Sequence, residues 1–404
     1  MSDAPDRVLD AALALLEDLC GISTATGDVE GLRACGRRLG GELSELGFRV
    51  EIETRADESG AAQPLLAATS GPTGNRHVLL IGHLDTVLPA VRTHRHGDRL
   101  YGTGALDMKG GFAAFIGALR LLRAGGAEGP ENMTLIAVPD EEIGGPISEA
   151  AVGHWGAGAR AVLVLEPGQR VQGGETIVTG RRGLSVWRLV ARGTAAHSGL
   201  AFSDGRSALA AAAEWSAGAQ ASSEGNGGPI VNVGRIVGGD SEFVQDLGEE
   251  HRFVGTSQRL NVVADRCLVE GEARYLTPED RDRVLGELRS LAGRLAARWG
   301  VEMDFRVGQE ILPAPPSERG AQLAHRLVDA AGQDGWRLDL ESDRGGVSFP
   351  NFLPDPAAAP VIDGLGPVGD GMHTREEWVS VTSLARRIRL IATLLEMLGE
   401  VDIK

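Results

Sequence analysis

Cysteine is scarce in this chain. Three occur in 404 residues, at Cys20, Cys35 and Cys267. They are too few and too far apart for a disulfide framework or a cysteine-based zinc site, and they suit a reducing compartment. Positive charge is in deficit as well, with 40 Lys+Arg against 56 Asp+Glu and a net charge of −16. That balance disfavours any role resting on attraction to nucleic-acid phosphates or anionic lipid. No apolar run approaches the roughly 18 residues of a membrane span. The opening Met1-Ser2-Asp3-Ala4-Pro5-Asp6 lacks the basic start and apolar core of an export signal. What is present is a globular balance of 42% hydrophobic and 24% charged residues, enough for two domains or one large one. The composition predicts a cytoplasmic enzyme with no nucleic-acid or membrane partner, and leaves the reaction open.

Leu9, Leu13, Leu16 and Leu19 fall at helical spacing near the start. Val78-Leu79-Leu80-Ile81, Leu135-Ile136-Ala137-Val138 and Ala161-Val162-Leu163-Val164-Leu165 are continuous apolar runs of strand length. Between the first two lies a helix pattern carrying Phe112, Phe115, Ile116, Leu119 and Leu122. Apolar strands alternating with helices predict an α/β sheet covered on both faces. The pattern changes after Gly180. Val186 to Arg192 alternate as in a half-buried strand, and a helix of small residues follows from about Ser207 to Gln220. Strands at Ile230–Ile236 and Leu268–Tyr275 come next. A helix then opens at Thr277-Pro278-Glu279, and a last strand runs over Val301–Val307. This β-α-β-β-α-β order is that of a ferredoxin-like domain. The acidic stretch from Gly238 to Ser257 reads as a long loop or insertion. Helix and strand patterns resume after Gly308, at Leu323–Ala331, Val361-Ile362 and Leu384–Leu398. The expected division is 1–179 and 309–404 as one α/β domain, with 180–308 inserted in it.

In parallel sheets ligands bind outside the carboxyl ends of the strands. Here each predicted strand ends in a potential metal ligand. Ile81 leads to Gly82-His83-Leu84-Asp85, Val138 to Pro139-Asp140-Glu141-Glu142, and Leu165 to Glu166. Val361-Ile362 leads through a Gly-rich loop to His373, and Asp107 lies in the loop before the Phe112 helix. Singly, each has an ordinary reading. Asp107 beside Lys109 could cap a turn, Glu141-Glu142 could be the solvated start of a helix, and Glu166 and His373 could be loop residues. Their recurrence at successive strand ends favours one shared site. In His83-x-Asp85, one imidazole nitrogen can bind metal while the other donates to a carboxylate, with Asp85 the nearest. The other reading of Asp85 is a cap for the turn that follows. Of the adjacent Glu141 and Glu142, one can coordinate and the other stay free as a base.

Four segments carry a resemblance: Ile81-Gly82-His83-Leu84-Asp85-Thr86-Val87, Gly104-Ala105-Leu106-Asp107-Met108-Lys109-Gly110-Gly111, Asp140-Glu141-Glu142-Ile143-Gly144 and Leu165-Glu166-Pro167-Gly168. Together with His373, they resemble the di-zinc metallohydrolases that include acetylornithine deacetylase, succinyl-diaminopimelate desuccinylase, aminoacylase and glutamate carboxypeptidase. The glutamate carboxypeptidase branch is the nearest in look, over almost the whole chain. The resemblance implies a mixed-sheet α/β catalytic domain with an inserted ferredoxin-like lid and dimerisation domain. It implies two divalent ions, Zn²⁺ foremost, with Co²⁺ or Mn²⁺ as alternatives. Asp107 would bridge them, His83 and Glu166 would complete one position, and Glu142 and His373 the other. Glu141 would be the general base, and the Asp107–Met108 peptide would be cis. In the inserted domain, Ala195-Ala196-His197-Ser198-Gly199 resembles the family's His motif, so His197 would stabilise an oxyanion. Asn261 and Arg274 stand where the family binds a substrate carboxylate. The mixed His/carboxylate donor set suits Zn²⁺ with open positions, and two such ions suit amide hydrolysis.

One departure bears on the substrate. After Gly345-Gly346-Val347-Ser348 this chain has Phe349-Pro350-Asn351, where the family often has a small residue and an Asp. The expected activity is hydrolysis of an amide C–N bond in a small N-acyl amino acid or dipeptide-like molecule, and the resemblance implies a homodimer paired through the inserted domain. The alternatives are an aminohydrolase or deacylase acting on a non-peptide C–N bond, and a non-catalytic binding protein that kept the fold.

Overall fold

The computed structural model describes residues 4–56, 60–71, 76–127, 129–225, 227–250 and 261–400. Contacts divide the chain into two units, one of 1–180, 315–344 and 348–404, the other of 181–314 and 345–347. The first unit begins with α1 (Ala4–Gly21), α2 (Val29–Glu45), β1 (Arg49–Ala56), β2 (Ala62–Ser70), β3 (Val78–His83), β4 (His94–His96) and β5 (Arg99–Tyr101). It continues with α3 (Lys109–Gly125), β6 (Met133–Val138), α4 (Pro146–Gly156), β7 (Ala161–Val164), β8 (Arg170–Val171) and β9 (Gly174–Val178). The second unit holds β10 (Gly183–Arg192), α5 (Ala208–Ala221), β11 (Ile230–Gly239), α6 (Ser241–Glu250), β12 (Arg266–Tyr275), α7 (Pro278–Trp299) and β13 (Glu302–Ile311). The first unit resumes with α8 (Glu318–Gln333), β14 (Arg337–Glu341), β15 (Val361–Ile362), β16 (Gly369–Asp370), β17 (Trp378–Ser380) and α9 (Val381–Glu400).

The central sheet of the first unit runs β1-β2-β6-β3-β7-β15. Strands β6, β3, β7 and β15 are parallel, while β2 and β1 add on antiparallel. This is the α/β sheet that the apolar runs predict, in the mixed form that the resemblance implies. Side chains alternate across it. Val78 and Leu80 enter a core with α1, α2, α3, α8 and α9, while Leu79 and Ile81 enter a second core with α4 and Phe349. Both faces are covered, so the strands must be apolar throughout. Strand β1 escapes a search for continuous apolar runs because it alternates, as in Glu51-Ile52-Glu53, with much of it exposed at the sheet edge.

The second unit has a four-stranded antiparallel sheet in the order β11-β12-β10-β13. Helices α5 and α7 pack on one face of it, around Trp187, Trp215 and Phe305. The Trp187 and Trp215 rings meet edge to face at 5.2 Å. Both helices start as the sequence dictates, with Ser207 and Thr277 accepting from the N–H groups of Ala210 and Asp280. The acidic stretch after Gly238, read as a loop, is in part helical, since α6 occupies Ser241–Glu250. Asp240 accepts from the Phe243 N–H at 3.2 Å, and acidic residues suit a helix N-terminus. Residues 251–260, the remainder of that expectation, lie outside the described residues. Among the described residues, no helix is long and apolar enough to cross a membrane.

Candidate active site

Parallel β3, β6 and β7 bring their carboxyl ends to one edge, with His83 opposite Val138 and Ile81 opposite Val164 in register. His83 therefore closes β3, the turn Glu141–Ile143 follows β6, and Glu166 follows β7. Asp107 reaches the same edge on the loop before α3. The first turn of α3 is brought close by Gly111, where an added Cβ would lie 2.1 Å from the Leu165 carbonyl oxygen. Only glycine lets α3 start this close to the chain that carries Glu166. The Asp107–Met108 peptide is cis, as the resemblance implies. Lys109, although next in line, turns away from Asp107. Its buried Nζ donates to the carbonyls of Leu19 and Ile22 at 3.1 and 3.0 Å, at the end of α1.

The two oxygens of Asp107 face different imidazoles. Oδ1 is 3.1 Å from His83 Nε2 and Oδ2 is 3.2 Å from His373 Nε2. His83 Nε2 also lies 3.6 Å from Glu166 Oε1, and His373 Nε2 lies 3.1 Å from Glu142 Oε2. Ligand atoms of His83, Glu141 and Glu166 fall within 4.8 Å of one another, and so do those of His83, Asp107 and Glu142. The six residues converge although Asp107 and His373 are 266 positions apart. His373 sits in a turn at φ 62° with a half-exposed side chain, whereas the His83 side chain is fully buried.

The electrostatics are those of a cluster short of positive charge. Burial opposes charge on His83, but hydrogen bonds to Asp107 and Asp85 hold its pKa well above that of a free imidazole. Hydrogen bonding to Asp107 lifts His373 to about 9. Burial would raise Asp107, yet its bonds to His373 and His83 depress it well below the carboxylate range. Desolvation pushes Glu142 up to about 7. The ion pairs of Asp107 and Glu142 are to imidazoles, not to lysine or arginine. The carboxylates thus face imidazoles where cations would otherwise stand, and a divalent ion binding a His/carboxylate set takes deprotonated ligands. The donor set therefore fits hard-to-borderline divalent metal.

Asp85 does more than the His-x-Asp pattern indicates. The nearest oxygen to His83 Nδ1 is the Asp85 backbone carbonyl at 2.9 Å, with the carboxylate Oδ1 at 3.4 Å. The carboxylate itself accepts the N–H groups of Glu141 and Glu142, each at 3.2 Å, and the Thr26 hydroxyl at 2.9 Å. It thus orients the ligand on β3 and also the turn bearing the two glutamates. Glu377 escapes sequence reasoning. In the charged run Arg375-Glu376-Glu377 it reads as solvated, yet it is 3% exposed and bonded to the Asp107 loop. The one signal for it is its position four residues after His373.

In the second unit, Asn261 Nδ2 is 3.3 Å from His197 Nε2, and His197 Nδ1 accepts the Gly199 N–H at 3.1 Å. Arg274 is engaged by the carboxylate of Glu272 at 2.8 and 3.2 Å and donates to the Gly345 carbonyl at 2.6 Å. Phe349, at the departure from the family pattern, belongs to the sheet core and is fully buried. Its ring centre is 6.4 Å from that of His83, so it is packing beneath the imidazole.

Residues 79–397 match the model of peptidase family M20/M25/M40. The chain belongs to this family. It is 28% identical over 405 residues to carboxypeptidase G2 of Pseudomonas sp., covering 96% of this chain and 89% of that one. It is also 28% identical over 375 residues to a succinyl-diaminopimelate desuccinylase of Novosphingobium aromaticivorans, covering 87% and 91%. Among solved structures, aminopeptidase PepT of Bacillus cereus superposes with a TM-score of 0.75 at 21% identity, over 97% of this chain and 99% of that one. A dinuclear metal-binding M20 peptidase of Bacillus subtilis superposes with a TM-score of 0.68 at 17% identity, over 98% and 99%. These two structures share the fold. As an M20-family member the chain is a metal-dependent hydrolase of amide C–N bonds.

Proposed function

We propose that this M20-family chain hydrolyses the amide bond of a small N-acyl amino acid or dipeptide-like substrate that carries a free carboxylate. The observation that carries this reading is Asp107, whose two oxygens face two imidazoles, each with its own further carboxylate. His83, Asp107 and Glu166 would hold one divalent ion, and Asp107, Glu142 and His373 the other, with Zn²⁺ the first choice. When bound, the ions supply Lewis acidity toward water and the substrate carbonyl. Glu141 accepts the proton of the attacking water and returns it to the leaving nitrogen. The bond from its backbone N–H to the Asp85 carboxylate, which holds the turn it stands on, supports this assignment. Asp85 also fixes the orientation of His83.

His197 is assigned oxyanion stabilisation, a role worth about 3–4 kcal/mol for a single donor. Its contact with Asn261 supports treating the two as one unit. Arg274 is assigned the substrate carboxylate, for which it would have to share its guanidinium with Glu272. A homodimer formed through the second unit and a cytoplasmic location complete the reading. The resemblance to a carboxypeptidase and to a desuccinylase supports both halves of the substrate description, an amide and a carboxylate. The test is a hydrolysis screen of the metal-reconstituted protein against N-acyl amino acids, dipeptides and amino-aromatic amides. Turnover of the first two classes supports the proposal, and turnover confined to non-peptide C–N bonds overturns it.

A further inference from the structure

Glu377 is a buried carboxylate, 3% exposed, and among the described residues it forms no ion pair with lysine or arginine. Its two oxygens are used on backbone amides. Oε1 accepts the N–H groups of Leu106 and Asp107 at 2.8 and 2.9 Å, and Oε2 accepts that of Gly104 at 2.9 Å. Its own carbonyl accepts the Gly102 N–H at 3.1 Å. All four donors belong to the loop that presents Asp107. Glu377 itself ends the turn that presents His373, and Trp378 next to it pairs with Tyr101 where β17 meets β5. One side chain therefore ties together two segments that are distant in sequence, each bearing one of the proposed ligands.

A carboxylate is suited to this place because it only accepts. Three converging N–H donors match its two oxygens, and a charged acceptor binds amides more strongly than a neutral one does. It is not itself one of the clustered ligand atoms. The other ligands are anchored differently. His83 closes β3 within the sheet, and Glu166 follows two residues after the end of β7. His373 stands on an exposed turn, with Glu377 and the Thr374 bond to the Gly371 carbonyl holding it.

We infer that Glu377 is a positioning residue that fixes Asp107 and His373 relative to each other and so sets the affinity of the metal position they share with Glu142. The inference rests on the metal reading given under the proposed function. Glu377→Gln keeps the shape but turns an amide N–H₂ toward at least one of the three backbone donors. Partners of metal ligands lose about 10–100-fold in affinity when altered, and that loss is expected here at one of two positions.

The experiment measures Zn²⁺ retained by wild type, Glu377→Gln and the exposed neighbour Glu376→Gln during competition with a graded chelator. The melting temperature of each metal-free protein is read alongside. The expected result is two equivalents in wild type and Glu376→Gln, and one equivalent retained by Glu377→Gln at chelator strengths where wild type keeps both. The metal-free melting temperatures should differ far less than the affinities, and excess Zn²⁺ should restore the second equivalent. Retention equal to wild type in Glu377→Gln overturns the inference, and so does loss of both equivalents in parallel. If Glu377→Gln does not fold, Glu377→Asp, which keeps the charge and shortens its reach, is read by the same criteria. A wild-type chain that retains no metal overturns the proposed function itself and this inference with it, an outcome distinct from equal retention in wild type and variant.

Discussion

Replacing Asp85 by Asn changes one atom in a side chain that is fully buried. In the native protein its carboxylate accepts three hydrogen bonds, from Thr26 Oγ1, Glu141 N and Glu142 N. An Asn amide has one accepting oxygen and one donating nitrogen. With the nitrogen on the Oδ2 side it opposes the Glu142 N–H, while the Thr26 hydroxyl can rotate to accept. With the nitrogen on the Oδ1 side it opposes the Glu141 N–H and faces His83. Either orientation strands one peptide donor, at a cost of about 1–3 kcal/mol. For a unit of this size that is a fall in melting temperature of about 2–6 °C. The turn bearing Glu141 and Glu142 is released at the same time, and weakened support of a ligand lowers metal affinity by about 10–100-fold. Asp85→Asn should therefore show a small loss of thermal stability, a larger loss of metal in chelator competition, and a kcat that excess metal does not fully restore. Wild-type metal retention together with wild-type kcat would refute the view that Asp85 orients both His83 and the glutamate turn.

Glu141→Ala should retain both metal equivalents and lose about 10²–10⁴-fold in kcat, as measured by steady-state kinetics with metal analysis on the same sample. Glu175→Ala should be the more damaging change to the fold. Glu175 pairs with Arg387 at 3.1 Å and accepts the Ser383 hydroxyl at 2.8 Å, and Arg387 is fully buried. Removing one partner of such a pair costs about 3–5 kcal/mol, which denaturant unfolding will read directly. Asp98 accepts the Ser380 and Thr382 hydroxyls and the Thr382 N–H at the start of α9. Burial works against its charge, but those hydrogen bonds prevail and its pKa falls below 3.8. A depressed carboxylate contributes stability above its unfolded pKa and loses it as the pH drops through the folded one. Asp98→Ala should thus cost about 1 kcal/mol at pH 7, and thermal melts should show the gap to wild type closing below about pH 4.

Much of the site is legible in the sequence because the parallel sheet makes it so. Val78–Ile81, Leu135–Val138 and Ala161–Val164 are buried on both faces, so they are apolar throughout, and the polar residue that ends each run stands out. His83, Glu141, Glu142 and Glu166 can be read in this way from the runs alone. The pairing of Asp107 with His373 across 266 positions could be supposed only through the family resemblance. What the sequence conceals is whatever departs from simple periodicity. β1 alternates at an exposed edge, and α6 is masked by its acidic composition. Glu377 looks solvated because its neighbours are charged, while its burial depends on amides from a loop far away in sequence. The caps of α5 and α7 are local, and local chemistry is what a sequence displays best.

The central claim is that two divalent ions share Asp107, one beside His83 and Glu166, the other beside His373 and Glu142. Anomalous diffraction from crystals of the Zn²⁺-loaded protein, collected at the zinc edge, tests it most directly. The account predicts two peaks, one on each side of the Asp107 carboxylate. A single peak with no Asp107 ligand, or peaks placed elsewhere in the chain, would contradict it.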